Sequence, residues 1–141
     1  MKPALIDSCV IISRALKMEL VEPAGRVLQS YKPYVLDLTG IEIANALRNN
    51  VRVGAVTLDK AVGILRSFSG NFIAHDSAPY LEDALRLGAE FEHGVYDCIY
   101  VACARRKQMP LYTADRKLFR KFKVLDGLSV FDIHDLPDIL A

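Results

Sequence analysis

Short apolar runs alternate along the chain with stretches of helical periodicity, which is the pattern of an α/β protein. The first run, Pro3-Ala4-Leu5-Ile6, ends at an acid, Asp7. Four further runs of the same kind follow at intervals. The pattern predicts strands over Pro3–Ile6, Tyr34–Leu38, Phe72–Ala74, Met109–Thr113 and Leu128–Phe131.

Between these runs, apolar residues recur three and four positions apart, as they do on one face of a helix. A Thr-x-x-Glu pattern at Thr39 and Glu42 is typical of a capping box, so it predicts a helix that begins there and continues to about Arg52. Gly88 is expected to interrupt a later helix. The other predicted helices run from near Ser8 to Leu16, over Glu22–Tyr31, over Thr57–Ser69, across Leu81–Leu87, over Gly94–Ala104 and around Leu118–Phe122.

Strands separated by helices pair in parallel through right-handed crossovers, and the helices cover both faces of the sheet. We therefore predict a three-layer α/β/α sandwich with a central, mostly parallel sheet, formed by residues 1–141 as a single domain. Such a sheet binds ligands beyond the carboxyl ends of its strands. Asp7, Glu42 and Asp115 each follow a predicted strand and fall at that edge. Topology does not place Asp97, because a further helix separates it from the preceding strand.

The helix predicted over Gly94–Ala104 carries one acid, Asp97, among residues that are almost all apolar or small. This composition predicts burial on every face, with Asp97 near the core. A buried carboxylate requires hydrogen bonds, a counter-charge or a metal ion. Two explanations are open: Asp97 caps the first turn of its helix, or it meets a partner from elsewhere in the chain.

The same two explanations apply to all four acids. As caps, Asp7 and Asp115 would begin helices and Glu42 would complete the capping box, each contributing about 1 kcal/mol. As a cluster, two carboxylates ~4 Å apart would repel by about 4 kcal/mol at an effective dielectric constant of about 20. A convergent set would therefore require a cation, and all-oxygen donors select Mg²⁺ or Mn²⁺. Such a metal ion can promote the hydrolysis of a phosphodiester.

Composition narrows the possible classes of protein. The apolar runs are far shorter than the roughly 20 residues of a membrane span, and the first run is too short for the apolar region of a signal peptide. The three cysteines show no Cys-x-x-Cys spacing, so we expect reduced core thiols and a cytoplasmic protein. No Ser-His or Cys-His pattern and no phosphate-binding glycine loop competes with the acids.

The net charge is only +1, but the charges are unevenly distributed along the chain. The segment from Arg105 to Lys123 has eight basic residues and one acid, Asp115. One explanation is a solvated helix surface. The other is a face that binds the phosphate backbone of a nucleic acid beside the acids.

Four short motifs follow one another along the chain: Leu-Ile-Asp-Ser from residue 5, Glu-Ile-Ala-Asn-Ala-Leu from residue 42, Tyr-Asp-Cys-Ile-Tyr-Val-Ala from residue 96 and Thr-Ala-Asp from residue 113. Together they span nearly the whole chain, and their order and spacing resemble the motifs of PIN-domain proteins. More narrowly, the sequence is similar to the VapC toxins of type II toxin–antitoxin modules, which are stand-alone PIN domains of about this size.

This resemblance implies a metal-dependent endoribonuclease. Asp7 and Asp97 would be the main ligands of a Mg²⁺ or Mn²⁺ ion, Glu42 and Asp115 would complete the acidic cluster, and the Thr113 hydroxyl would orient a carboxylate. A metal-bound water would attack the scissile phosphate of an RNA substrate. The resemblance also implies a homodimer that is silenced by a cognate antitoxin, which inserts into the site or covers it.

Two positions depart from the family pattern. Cys9 occupies a position where many relatives have a small polar residue, so a hydrogen bond to the site is expected either to be missing or to be supplied by Ser8. Lys117 occupies a position where some relatives have another acid. One fewer negative charge implies one tightly held metal ion, with a second ion either absent or bound only alongside substrate.

Other functions are compatible with the same sequence. A PIN-fold RNA-processing nuclease would use the same chemistry, whereas a non-catalytic PIN-like interaction module would use the acids only as caps. A phosphoacceptor receiver domain clusters several acids after its first strand, where this chain has only Asp7. Apolar residues on one face of the helix over Thr57–Ser69 could form an interface, although that spacing is more typical of core: Leu58, Val62, Leu65 and Phe68.

Overall fold

Five parallel strands form the central sheet of the protein, whose computed structural model describes residues 1–136. Residues 137–141, the end of the predicted single domain, lie outside the described part. All five predicted strands are present, with bounds that differ by at most two residues. The strands are β1 (Pro3–Ile6), β2 (Lys32–Leu36), β3 (Ala74–His75), β4 (Leu111–Thr113) and β5 (Val130–Asp132).

Seven α-helices connect these strands within residues 1–136. They are α1 (Ser8–Ala15), α2 (Val21–Ser30), α3 (Asp37–Arg52), α4 (Leu58–Asn71), α5 (Leu81–Phe91), α6 (Val95–Lys107) and α7 (Arg116–Phe122). None of these helices is long and apolar enough to cross a bilayer.

The predicted three-layer α/β/α sandwich is confirmed by the way in which successive strand residues point to opposite faces. Leu5 packs on one face of the sheet with residues of α5, α6 and α7. Ala4 and Ile6 pack on the other face with residues of α1 to α4. The core therefore lies in two layers, one on each side of the sheet. The three cysteines are free thiols, and Cys98 and Cys103 are buried in the first layer.

The strand order β3-β2-β1-β4-β5 determines where a ligand can bind. The chain moves outward from β1 to β3 and then crosses to β4 on the other side of β1. The strand order thus reverses between β1 and β4, and the carboxyl ends of these two strands flank a crevice. Their pairing ends with Ile6 beside Tyr112, one residue before Asp7 and Thr113.

Helix α6 begins near this crevice, and its position depends on a close contact with α5. The prediction that Gly88 interrupts α5 is wrong, because α5 continues through it to Phe91. A Cβ atom at Gly88 would lie 2.9 Å from the carbonyl oxygen of His93. Glycine therefore lets the α5–α6 connection approach α5. The predicted burial on every face of α6 is confirmed from Cys98 to Ala104 and is wrong for the first turn, where Val95 and Tyr96 are exposed and Asp97 is partly exposed.

Candidate active site

Asp7 lies between β1 and α1 and is almost completely buried, with 5% of its surface exposed. It occupies the N-cap position of α1, but its side chain makes no capping hydrogen bond. Instead, its Oδ2 accepts a hydrogen bond from Thr113 Oγ1 at 2.8 Å, and Ser8 Oγ donates to Oδ1 at 3.4 Å. The N-cap explanation for the Asp7 side chain is therefore wrong. Its carboxylate faces the carboxyl end of β4.

The surroundings of Asp7 raise its pKa to about 6. Burial is the main cause, and the charges of Asp97 and Asp115 raise the pKa further, while the hydrogen bond from Thr113 lowers it. The same Thr113 hydroxyl oxygen accepts a hydrogen bond from the Asp115 backbone N–H at 3.0 Å. Thr113 thus links the carboxylate at the end of β1 to the turn that follows β4.

Cys9 supports this turn. Its Sγ accepts a hydrogen bond from the Ala114 backbone N–H at 3.2 Å and lies 3.7 Å from Thr113 Oγ1. Burial raises the pKa of the Cys9 thiol well above its usual range. The thiol therefore stays protonated and ties α1 to the turn before Asp115.

Glu42 does not complete a capping box with Thr39. Helix α3 begins at Asp37, so Thr39 lies in its first turn and its Oγ1 accepts from the Leu36 backbone N–H at 3.1 Å. The predicted capping role of Glu42 is therefore wrong. Its Oε1 instead accepts a hydrogen bond at 2.8 Å from the hydroxyl of Tyr100, on α6.

The Tyr100 hydroxyl also lies 2.7 Å from Thr39 Oγ1, so it connects α3 to α6. Because the Tyr100 proton goes to the carboxylate, Thr39 is the donor in this second contact. Burial raises the pKa of Glu42 to about 7; the Tyr100 hydrogen bond lowers it, and the charges of Asp7 and Asp97 raise it. Glu42 therefore faces two other acids.

Asp97 lies in the first turn of α6 and is partly exposed. Its side chain makes no capping hydrogen bond to the helix; instead, its Oδ2 lies 2.7 Å from Nε2 of His93. A carboxylate only accepts, so the imidazole nitrogen is the donor when Asp97 is ionised. The His93 side chain is nearly buried and packs edge-on against Phe122. The orientation of Asp97 is thus set by a histidine and not by a helix cap.

Asp115 is an N-cap, as one of the two explanations predicted. Its Oδ1 accepts hydrogen bonds from the backbone N–H groups of Lys117 at 2.9 Å and Leu118 at 3.2 Å, at the start of α7. Its charge still raises the pKa of Asp7. Asp115 therefore caps a helix and contributes to the acidic edge.

Asp7, Glu42, Asp97 and Asp115 lie close enough at this edge for their charges to act on one another. They do not form a preassembled metal site: within residues 1–136, no three acidic, histidine or cysteine side chains converge on one point. The donor set nevertheless fits a hard cation, because the available ligands are carboxylate oxygens and two of them have raised pKa values through burial and mutual repulsion.

Sequence reasoning missed His93, Tyr100 and Asp132 as residues of this edge. Asp97 and Tyr100 are three residues apart, which is the spacing of one helical face, and this signal could have grouped them; His93 precedes the helix, so the spacing does not identify it. Asp132 ends β5, and its backbone pairs with Thr113. The strand-end rule that selected Asp7 and Asp115 applies to Asp132 as well.

The basic segment Arg105–Lys123 does not lie as a unit beside the acids. Helix α6 has 13 residues and is about 20 Å long, so Asp97 and Arg105 lie toward opposite ends of it. Lys107 and Gln108, which follow, line a cavity with Lys2 and Pro3 at the amino-terminal edge of the sheet. The part of the segment that adjoins the acidic edge lies on α7: Arg116 follows Asp115 directly, and Lys121 donates to the carbonyl oxygen of Glu92, next to His93.

A five-stranded parallel sheet with an acidic edge at the reversal of strand order defines the chain as a PIN-type α/β protein. No protein-family model matches the chain. It is 34% identical over 125 residues to ribonuclease VapC3 of Pyrobaculum aerophilum, a match that covers 86% of this chain and 95% of that relative. The chain therefore belongs to the VapC family of PIN-domain proteins.

Solved structures agree with this assignment. The crystal structure of PAE2754 from Pyrobaculum aerophilum has 27% sequence identity and a TM-score of 0.73, and the match covers 99% of this chain and 96% of that one. VapBC2 from Rickettsia felis, bound to a DNA fragment from its promoter, has 11% identity and a TM-score of 0.69 over 92% of this chain and 98% of that one. The second likeness concerns the fold alone.

Proposed function

We propose that the protein is a Mg²⁺- or Mn²⁺-dependent endoribonuclease and the toxin of a VapBC-type toxin–antitoxin pair. Family membership supports this proposal, because the relative from Pyrobaculum aerophilum is named a ribonuclease. One observation on this chain carries the proposal furthest: Asp7 is a nearly buried carboxylate whose neighbours include other acids. Such an arrangement costs stability without a cation and is typical of functional sites.

Asp7 and Asp97 would hold the metal ion, with Glu42 and Asp115 beside them. When bound, the cation would neutralise charge on a phosphoryl oxygen and promote the attack of water. Thr113 and Ser8 fix the Asp7 carboxylate, and His93 fixes Asp97. Ligands held in this way lose little conformational freedom when a cation binds.

Glu42 has a different part in the proposed reaction. Its pKa of about 7 in the metal-free protein allows the carboxyl group to hold or release a proton near neutral pH. The hydrogen bond from Tyr100 directs one of its oxygens, and Thr39 holds Tyr100 in turn. This arrangement suits a residue that positions or deprotonates water near a scissile phosphate.

We expect purified protein to cleave structured RNAs when Mg²⁺ or Mn²⁺ is present and to stop when a chelator is added. The measurement is gel analysis of a mixed set of RNAs, together with calorimetric titration of Mn²⁺ into metal-free protein. The Asp83→Asn variant serves as a control for both readouts, because Asp83 lies in the first turn of α5 and lines a cavity with Arg105 and Arg106, toward the end of α6 opposite to Asp97. Well-folded protein that neither cleaves RNA nor binds Mn²⁺ would support the non-catalytic interaction module.

An RNA-processing nuclease would use the same chemistry. Assignment as a toxin therefore requires evidence of an antitoxin that binds this protein. Structural neighbours include VapBC toxin–antitoxin complexes, and we propose a cognate antitoxin for this chain. A small reading frame immediately upstream of the gene should encode a protein that copurifies with this one and suppresses its RNA cleavage. The absence of any such inhibitor would favour the processing nuclease.

We also propose a homodimer, formed through the apolar groove between α3 and α4. The groove has a volume of about 200 Å³, and its lining includes Leu47, Val51, Leu58 and Val62. Leu58, which spacing alone made a candidate core residue, is 64% exposed. A large apolar side chain at the rim of a groove is a feature of protein interfaces.

Replacing Leu58 by glutamate should convert the dimer to a monomer, because a charge would be buried in an apolar contact. Light scattering coupled to gel filtration measures the mass in solution. Ser69→Glu adds the same charge at an exposed position of α4 and should leave the dimer intact. A wild-type protein that is monomeric at micromolar concentration would contradict the dimer.

A further inference from the structure

Asp132 is a second buried acid at the carboxyl edge of the sheet. It ends β5, its backbone pairs with Thr113 of β4, and only 4% of its side chain is exposed. Parallel neighbours in register point to the same face of a sheet and lie about 4.8 Å apart. Asp7, Thr113 and Asp132 therefore lie side by side at the ends of β1, β4 and β5, and Asp132 is the one farthest from the crevice between β1 and β4.

The surroundings of Asp132 differ from those of Asp7, because the charged group beside Asp132 is an arginine, whereas those beside Asp7 are other acids. Its Oδ1 accepts from the His134 backbone N–H at 3.0 Å and from Nδ1 of the same residue. Its Oδ2 lies 3.9 Å from Nε of Arg116. The buried carboxylate is fixed by hydrogen bonds from His134 on one side and lies within ion-pair distance of the Arg116 guanidinium on the other.

Arg116 follows Asp115 directly and begins α7. Its side chain is 54% exposed, and the pair with Asp132 involves only Nε. In the part of the chain that the structure describes, the two terminal nitrogens of this guanidinium have no protein partner within hydrogen-bond distance. These nitrogens carry four N–H donors that a planar fork presents to an anion.

Two other basic residues of the Arg105–Lys123 segment donate hydrogen bonds to backbone carbonyl groups. Arg106 donates to the Pro79 carbonyl and lies over the ring of Tyr80, and Lys121 donates to the Glu92 carbonyl. Arg116 differs because it follows Asp115 directly in the chain and its guanidinium pairs with a buried acid, Asp132. A polyanion that approaches the acidic edge is repelled by it unless a cation nearby binds a phosphate.

We propose that Arg116 binds a phosphate of the RNA substrate at the acidic edge, and that Asp132, fixed by His134, positions it. A guanidinium forms two parallel hydrogen bonds to phosphate, so the contact fixes both the place and the orientation of the RNA strand. This proposal rests on the nuclease function proposed above. It makes Arg116 a substrate-binding residue and Asp132 a positioning residue that acts through it.

The test measures RNA affinity in chelator, where the RNA stays intact. Arg116→Ala should weaken binding of a fluorescently labelled single-stranded RNA by about tenfold, which corresponds to about 1.4 kcal/mol. The slope of log Kd against log salt should fall by about 0.7, the value for one phosphate contact on a single strand. Arg105→Ala is the matched control, because it also removes one positive charge but lies in the last turn of α6, at the end far from Asp97 and the acidic edge. Fluorescence anisotropy at several salt concentrations gives both quantities.

The positioning role of Asp132 is tested by a double-mutant cycle. Asp132→Asn should weaken RNA binding in the wild-type background and have no further effect in the Arg116→Ala background, because the two residues act as one unit. With metal present, Arg116→Ala should raise KM about tenfold and leave kcat nearly unchanged, as expected for lost substrate binding. A purely structural role of Asp132 would predict equal effects in both backgrounds.

The possible results separate the two proposals. If wild-type protein cleaves RNA and the Arg116→Ala and Arg105→Ala variants bind it equally well, the Arg116 proposal is wrong and the nuclease stands. If wild-type protein neither cleaves nor binds RNA, the nuclease function fails and the Arg116 proposal fails with it. A tenfold loss confined to Arg116→Ala, with the predicted salt slope, supports the phosphate contact.

Discussion

Replacing Asp97 by asparagine should reduce RNA cleavage by about 100-fold or more, while the fold remains intact. A bound divalent cation contributes several kcal/mol of charge stabilisation to phosphodiester hydrolysis, and a loss of about 2.7 kcal/mol corresponds to a factor of about 100 in rate. Asparagine has the same shape and an oxygen that can still accept the hydrogen bond from His93. The expected loss is therefore chemical and not structural.

The matched control is Asp83→Asn. Asp83 is the third residue of α5, just as Asp97 is the third residue of α6, so both substitutions remove a negative charge from the first turn of a helix. If Asp97 served only the helix dipole, the two variants would have equal and small effects on stability and none on cleavage. Cleavage rates at saturating Mn²⁺ and thermal unfolding of both variants distinguish the cases. An Asp97→Asn variant that cleaves as fast as Asp83→Asn would remove Asp97 from the site.

The carboxyl ends of the strands could be predicted from the sequence, and so could the two candidate site residues that follow them directly. Asp7 and Asp115 follow apolar runs that form β1 and β4, and parallel strands bring their carboxyl ends to one edge. Asp97 was not predictable in this way, because its position depends on how α6 packs against the sheet and α5. The family resemblance implied its place at the edge, and its effect on the pKa values of Asp7 and Glu42 agrees with that implication.

Local patterns did not determine which acids are caps. Thr39 and Glu42 have the spacing of a capping box, yet α3 begins at Asp37 and the Glu42 carboxylate binds Tyr100, 58 residues away along the chain. Asp115, with no such pattern, is the cap. A carboxylate near a helix start has several possible partners, and the one that it binds depends on tertiary contacts that the sequence does not display.

Asp7→Asn should stabilise the metal-free protein at neutral pH, although it removes a group proposed to be essential for activity. The folded-state pKa of Asp7 is about 6, above its ordinary value of 3.8, because the charged form is buried near other acids. A raised pKa means that the contribution of Asp7 to stability is fully present below pH 3.8 and is lost as the pH rises through 6. A shift of about two units corresponds to about 3 kcal/mol, and asparagine removes this cost while still accepting the hydrogen bond from Thr113.

We therefore expect the free energy of unfolding of Asp7→Asn to exceed that of wild type by about 1–3 kcal/mol at pH 7.5 in chelator, and the difference to vanish near pH 4. Urea unfolding at several pH values measures it. Saturating Mn²⁺ should raise the free energy of unfolding of the wild-type protein and leave that of Asp7→Asn largely unchanged, because the variant lacks the charged Asp7 carboxylate that would bind the cation.

Asp132→Asn is the comparison variant. Asp7 follows β1 and Asp132 ends β5, so both acids lie at the carboxyl edge of the sheet, and both are almost completely buried. The Asp132 carboxylate accepts two hydrogen bonds from His134 and lies 3.9 Å from the Arg116 guanidinium, so its substitution weakens these hydrogen bonds and removes the ion pair and should destabilise the protein by about 1–3 kcal/mol. If Asp7→Asn raises the free energy of unfolding and Asp132→Asn lowers it, then the Asp7 carboxylate destabilises the metal-free fold whereas the Asp132 carboxylate stabilises it. If Asp7→Asn is also destabilising at pH 7.5, Asp7 contributes to the fold in the same way as Asp132, and the metal site loses its main support.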